Sequence, residues 1–93
     1  MKEIIKFCFD YCLYVFYNGF FFWDMKPEEY QKKVEELINS VDDSTFIYFE
    51  GRREDVFILN FRLKDNKLLT FYLDEYSLRE LLDRYDIDNY TRV

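Results

Sequence analysis

The chain has 93 residues, a formal net charge of −6, no histidine, two cysteines, and an aromatic content of 23% set against two glycines and one proline. A chain this long is one domain, 1–93, able to bury roughly 60–70% of its unfolded surface without staples, and its composition is not that of a disordered segment. The acidic balance disfavours nucleic acid, whose affinity comes from Lys and Arg on phosphates, and disfavours anionic membrane surfaces.

The first stretch, Lys2 to Tyr17, reads as a helix stopped by Asn18-Gly19, with Gly19 in the left-handed cap conformation and Phe20 set against Val15. Glu3, Lys6, Asp10, Tyr14 and Tyr17 form one narrow polar stripe. The remaining apolar arc is too broad for a helix lying on a small monomer. It calls for near-complete enclosure in the fold or in a symmetric dimer. Cys8 and Cys12 sit four apart on this helix, where disulfide geometry is poor. Two thiols without histidine make no zinc site. They are expected to be small buried groups, in keeping with a reducing, cytoplasmic setting.

Phe20-Phe21-Phe22-Trp23 follows as a short extended connector on the core, or as an exposed aromatic anchor. No secretory leader is expected, because Glu3 and Asp10 interrupt the apolar region. The longest uncharged run, Tyr11 to Trp23, is too short to span a bilayer.

Pro27 suits the first position of a second helix. Glu28 and Glu29 complement its dipole, and Glu28–Lys32 and Glu29–Lys33 are spaced as ion pairs. Tyr30, Val34, Leu37, Ile38 and Val41 form its apolar stripe, and it ends near Asn39-Ser40.

Three strands come next. Phe46–Phe49 is bounded by turn residues. In Val56–Leu63 and Leu68–Leu73 the odd positions are large and apolar, so one face points to a core. A three-residue loop, Lys64-Asp65-Asn66, pairs Phe61 with Leu69, Leu59 with Phe71 and Phe57 with Leu73. A two-residue loop would scramble that face. Asn66 tolerates the left-handed conformation that the longer loop needs. The even face still carries Val56, Ile58, Leu68 and Tyr72, so some covering element, subunit or partner is expected there.

Ser77-Leu78-Arg79-Glu80 reads as a capping box opening a last helix, with Leu78, Leu81, Leu82 and Tyr85 inward. The order is α-α-β-β-β-α, an α+β fold with a three-stranded antiparallel meander packed by helices.

Charge is uneven along the chain. Residues 27–44 hold six acids and two bases, and 74–93 hold six acids and three bases, whereas 45–73 hold four acids and five bases. Without histidine, a phosphate loop or a calcium loop, no catalytic, metal or cofactor chemistry is expected. The expected function is that of a small acidic protein-binding inhibitor. By analogy of size and charge alone, it resembles the anti-CRISPR and anti-restriction class of viral anti-defence proteins. It would act on a basic, nucleic-acid-handling protein surface through Glu35, Glu36, Asp42, Asp43, Asp74, Glu75, Asp83 and Asp86. The alternative is a homo-oligomeric subunit, possible as a homodimer, that uses the aromatic first helix as its interface.

Overall fold

The computed structural model describes residues 2–22, 25–42 and 45–85. Trp23, Asp43, Asp86 and the rest of the tail lie outside them. In chain order the elements are α1 (Lys2–Tyr11), β1 (Tyr14–Tyr17), β2 (Phe20–Phe21), α2 (Pro27–Asn39), β3 (Phe46–Arg53), β4 (Val56–Arg62), β5 (Leu68–Leu73) and α3 (Glu75–Arg84). The fold is α+β. Its single antiparallel sheet has the strand order β2-β1-β5-β4-β3.

The meander β3-β4-β5 has the expected register. Phe61 pairs with Leu69, Leu59 with Phe71 and Phe57 with Leu73. Asn66 closes the three-residue turn at a φ of 59°, and the Leu63 N–H donates to the Lys67 carbonyl at 2.8 Å. β3 runs further than its apolar start. It passes a bulge between Phe49 and Gly51 and continues to Arg53.

The N-terminal segment departs from the reading as one long helix. α1 stops at Tyr11, and Tyr14–Tyr17 is a strand that pairs with β5, Tyr14 opposite Tyr72 and Tyr17 opposite Leu69. Asn18-Gly19 is therefore a hairpin turn and not a helix cap. Tyr17 pairs with Phe20, and both turn residues have positive φ, 43° and 112°. That is the backbone a two-residue hairpin requires, and Asn-Gly is its preferred dipeptide. Only a strand can satisfy the unpaired edge of β5, and it does so while burying Val15 and Tyr17 on the core face. The broad apolar arc thus came from joining two elements. α1 alone buries Ile5, Phe7, Cys8 and Phe9 and exposes Lys2, Glu3, Lys6 and Asp10, an ordinary amphipathic helix.

The helices cover the odd face of the sheet. Phe61, Phe71, Leu59, Leu69 and Leu73 are at most 1% exposed and share one core with Ile5, Cys8, Phe9, Leu37 and Leu81 from the helices. Phe9 meets Phe71 edge-on with ring centroids 4.9 Å apart, and Phe71 meets Phe61 in the same way at 5.4 Å, a favourable aromatic geometry. α1 packs against both α2 and α3.

Two capping and pairing expectations are revised. The N-cap of α3 is Asp74, whose carboxylate accepts from the Ser77 backbone N–H at 2.7 Å. Ser77 is thus inside the first turn. An aspartate three residues upstream captures the orphan N–H that a serine cap would have left to others. On α2, Lys33 pairs with Glu36 at 3.3 Å and lies over the Tyr17 ring at 5.1 Å, so it does not serve Glu29. Leu82 is 39% exposed and is not a core residue.

Candidate functional site

The expected acidic residues fall into two groups. Glu35 and Glu36 are exposed on α2, and Asp42 follows its C-terminus. Asp74, Glu75 and Asp83 lie on α3 or at its cap. Asp43 and Asp86 lie outside the described residues. The two helices that carry these groups each pack on α1, so the residues form two acidic patches on one helical layer.

Most of these carboxylates have a partner of their own. Glu36 pairs with Lys33, and Glu75 pairs with Arg79 at 3.2 Å. Asp42 reaches across to Lys64 at 2.9 Å, its backbone N–H donates to the Thr45 hydroxyl at 3.1 Å, and its carbonyl accepts from the Thr45 N–H at 3.0 Å. Glu35 accepts from Gln31 at 3.5 Å. Asp74 is committed to its cap. Asp83 has no ion pair among the described residues. Exposed pairs of this kind contribute little to stability, but each one reduces the field that its carboxylate projects.

A groove between α1 and α2 is lined by Lys6, Asp10, Tyr30, Gln31 and Glu35, with Phe9, Val34 and Ile38 beneath. Asp10 and Glu35 extend the acidic character of α2 onto α1. Burial raises the Tyr30 hydroxyl above its ordinary pKa, with smaller contributions from Cys12 and Asp10. The thiols are also shifted. Burial pushes Cys8 far up, and burial first, with Asp10 adding to it, pushes Cys12 up to about 11. Both cysteines are free and protonated near neutrality, the opposite of an activated nucleophile. Among the described residues no three His, Cys, Asp or Glu side chains converge as a metal site. None of the described helices is long and apolar enough to cross a membrane.

The even face of the sheet is the feature that charge counting along the sequence passes over. None of its residues except Ile58, Asn60 and Thr70 is buried, and none belongs to the core shared with the helices. One row runs across all five strands, Phe21, Phe16, Thr70, Asn60 and Tyr48. A second carries Tyr14, Tyr72 and Ile58, and a third Leu68, Arg62 and Phe46. Phe16 and Phe21 meet at 4.7 Å, Tyr14 and Tyr72 at 6.3 Å, and Arg62 lies over Tyr48 at 5.9 Å. The signal for this face was present in the sequence as the apolar even positions Val56, Ile58, Leu68 and Tyr72. The contribution of Tyr14, Phe16 and Phe21 was hidden by reading their segment as helix and connector.

The chain matches no protein-family model, no curated protein and no solved structure.

Proposed function

We infer that the protein works by binding another protein and not by turning over a substrate, with the outer surface of its helical layer as the contact. The reading is that of a small cytoplasmic inhibitor, of the anti-CRISPR or anti-restriction kind, that occupies a basic cleft built to hold nucleic acid. The supporting observation is the segregation of charge between the two sides of the molecule. Across α2 and α3, seven acids, Glu28, Glu29, Glu35, Glu36, Glu75, Glu80 and Asp83, stand against four bases, Lys32, Lys33, Arg79 and Arg84, a net charge of −3, whereas the even face of the sheet carries Glu50, Arg53 and Arg62, a net charge of +1. Carboxylates on helices already packed on a sheet could take up phosphate positions without the cost of ordering a chain. Their field would steer association, and the rate would fall with salt. Cys8 and Cys12 are both free, which fits a reducing compartment.

The test is capture of a partner at low salt, with the wild-type chain and a variant carrying Glu35→Lys, Glu36→Lys, Glu75→Lys and Asp83→Lys. The reading expects a captured protein that is released by high salt and by competing duplex DNA, and that the variant does not retain. Equal retention by the variant at low salt overturns it.

A further inference from the structure

We propose that the cavity between the end of α1, the start of β1 and the start of α2 is a binding site for a small neutral aromatic molecule that carries a hydrogen-bond acceptor. The cavity has a volume of about 390 Å³, within the range of small-molecule sites. Phe9, Val15, Phe22 and Met25 form its apolar walls, and Leu13 and Tyr14, 49% and 47% exposed, also line it. A ligand seated against them would cover apolar surface that the fold itself leaves in water.

The lining selects a neutral occupant. Charged residues make up 34% of the chain, yet none of the described residues lining this cavity is Asp, Glu, Lys or Arg. An ion leaving water needs a counter-charge or several hydrogen bonds. The described lining supplies no counter-charge. The backbone N–H groups of Cys12, Leu13, Met25 and Tyr30 already donate to the carbonyls of Cys8, Tyr72, Phe22 and Lys26. Asp10, whose charge raises the pKa of both Cys12 and Tyr30, adds a field that disfavours an anion. A neutral molecule meets none of these costs.

The rings select a planar one. Phe22 stacks with Phe9 at 6.1 Å and meets Tyr30 edge-on at 5.7 Å. The wall therefore combines ring faces with ring edges, and a further ring can add to either arrangement. Tyr30 can orient the ligand. The neighbouring Cys12 thiol is directed to the Phe9 carbonyl at 3.8 Å, whereas the Tyr30 hydroxyl has no hydrogen bond among the described residues. Burial keeps that hydroxyl protonated at neutral pH, so it is a donor. A carbonyl oxygen or a ring nitrogen on the ligand is the matching group. The proposal does not rest on the acidic-surface reading, because none of the described acids of that surface lines the cavity.

The test uses benzamide, benzoate and benzamidinium, which share one ring and differ in charge. Binding is read by NMR from the methyl group of Met25 in isotope-labelled protein, with Met1, the other methionine of the chain, as the internal reference. Benzamide should shift the Met25 signal saturably, with a Kd of roughly 0.1–5 mM for a molecule of its size, and leave Met1 unmoved. Benzoate and benzamidinium should each bind at least about 10-fold more weakly. Tyr30→Phe, at an unchanged amide spectrum, should weaken benzamide by about 3- to 10-fold and leave toluene, which has no acceptor, unaffected. The absence of a saturable Met25 shift with benzamide up to about 50 mM overturns the proposal. So does binding of either ion as tightly as benzamide, or a Tyr30→Phe variant that holds benzamide as tightly as the wild type.

Discussion

Thr70 and Asn60 face each other across β5 and β4, and the Thr70 hydroxyl donates to the Asn60 side-chain carbonyl at a site where the two residues are 5% and 1% exposed. Among the described residues no buried side-chain polar atom is left without a partner, so this pair is the satisfied polar centre of an otherwise aromatic face. Breaking one side strands the other. Thr70→Val should cost about 1–3 kcal/mol in urea melts. Thr70→Val with Asn60→Leu together should cost less than the sum of the two single changes, as expected for directly coupled residues. Additive losses would show that the hydrogen bond carries no coupling.

Phe61 is fully buried at the centre of the core face, against Phe71 and paired with Leu69. Phe61→Ala should destabilise by about 3–5 kcal/mol. A loss below about 1 kcal/mol would place Phe61 outside the folding core.

The cap of α3 separates an aspartate and a serine that look interchangeable as caps. Asp74→Ala should cost about 0.5–2 kcal/mol, because the Ser77 N–H loses its acceptor. Ser77→Ala removes a hydroxyl with only a 3.5 Å contact to the Tyr11 carbonyl and should cost less. The reverse order in thermal melts would return the cap to Ser77.

The thiols make a pH prediction. Cys12 has a folded pKa of about 11 against an ordinary 9.0, with burial the main cause. The folded state therefore holds its proton at pH values where the unfolded chain has released it. Stability should be complete below about pH 9 and fall between about pH 9 and about pH 11. The Cys12→Ala variant should make that part of the curve less steep, and the slope that remains comes from the buried Cys8 thiol, which is raised further. In native protein at pH 8, iodoacetamide should label Cys12 slowly and the fully buried Cys8 more slowly still, and urea should equalise them. Fast native labelling of Cys8 would contradict its burial.

The hairpin Asn18-Gly19 makes the last prediction. Gly19 has a φ of 112° and, among the described residues, no atom beyond its own chain neighbours within 4 Å of where a Cβ would stand. The penalty at this site is conformational and not steric crowding. Gly19→Val should destabilise by about 1–3 kcal/mol, and Gly19→Asn should recover part of that loss. Equal losses for both would mean that positive φ is not what the turn demands.

The amino-acid sequence alone determined those elements whose period is unambiguous and whose ends carry their own signals. β4 and β5 alternate strictly at the odd positions, and only the three-residue turn keeps Phe57, Leu59 and Phe61 opposite Leu73, Phe71 and Leu69. α2 is legible from Pro27 and from a stripe ending in Leu37 and Val41. The excess charge of two segments, and hence Glu35, Glu36, Asp74, Glu75 and Asp83 as candidates, is also written in the chain. Leu13 to Tyr17 is different. It is apolar or aromatic throughout, so a helix and a strand bury it equally well on local grounds. Long-range pairing of Tyr14–Tyr17 with Leu69–Tyr72 decides for the strand. That one choice turns a helix stop into a hairpin and gathers Tyr14, Phe16 and Phe21 beside Tyr72. Tertiary structure likewise set Lys33 over the Tyr17 ring and Lys64 on Asp42. Side chains that choose among several partners are placed by packing, which no local spacing encodes.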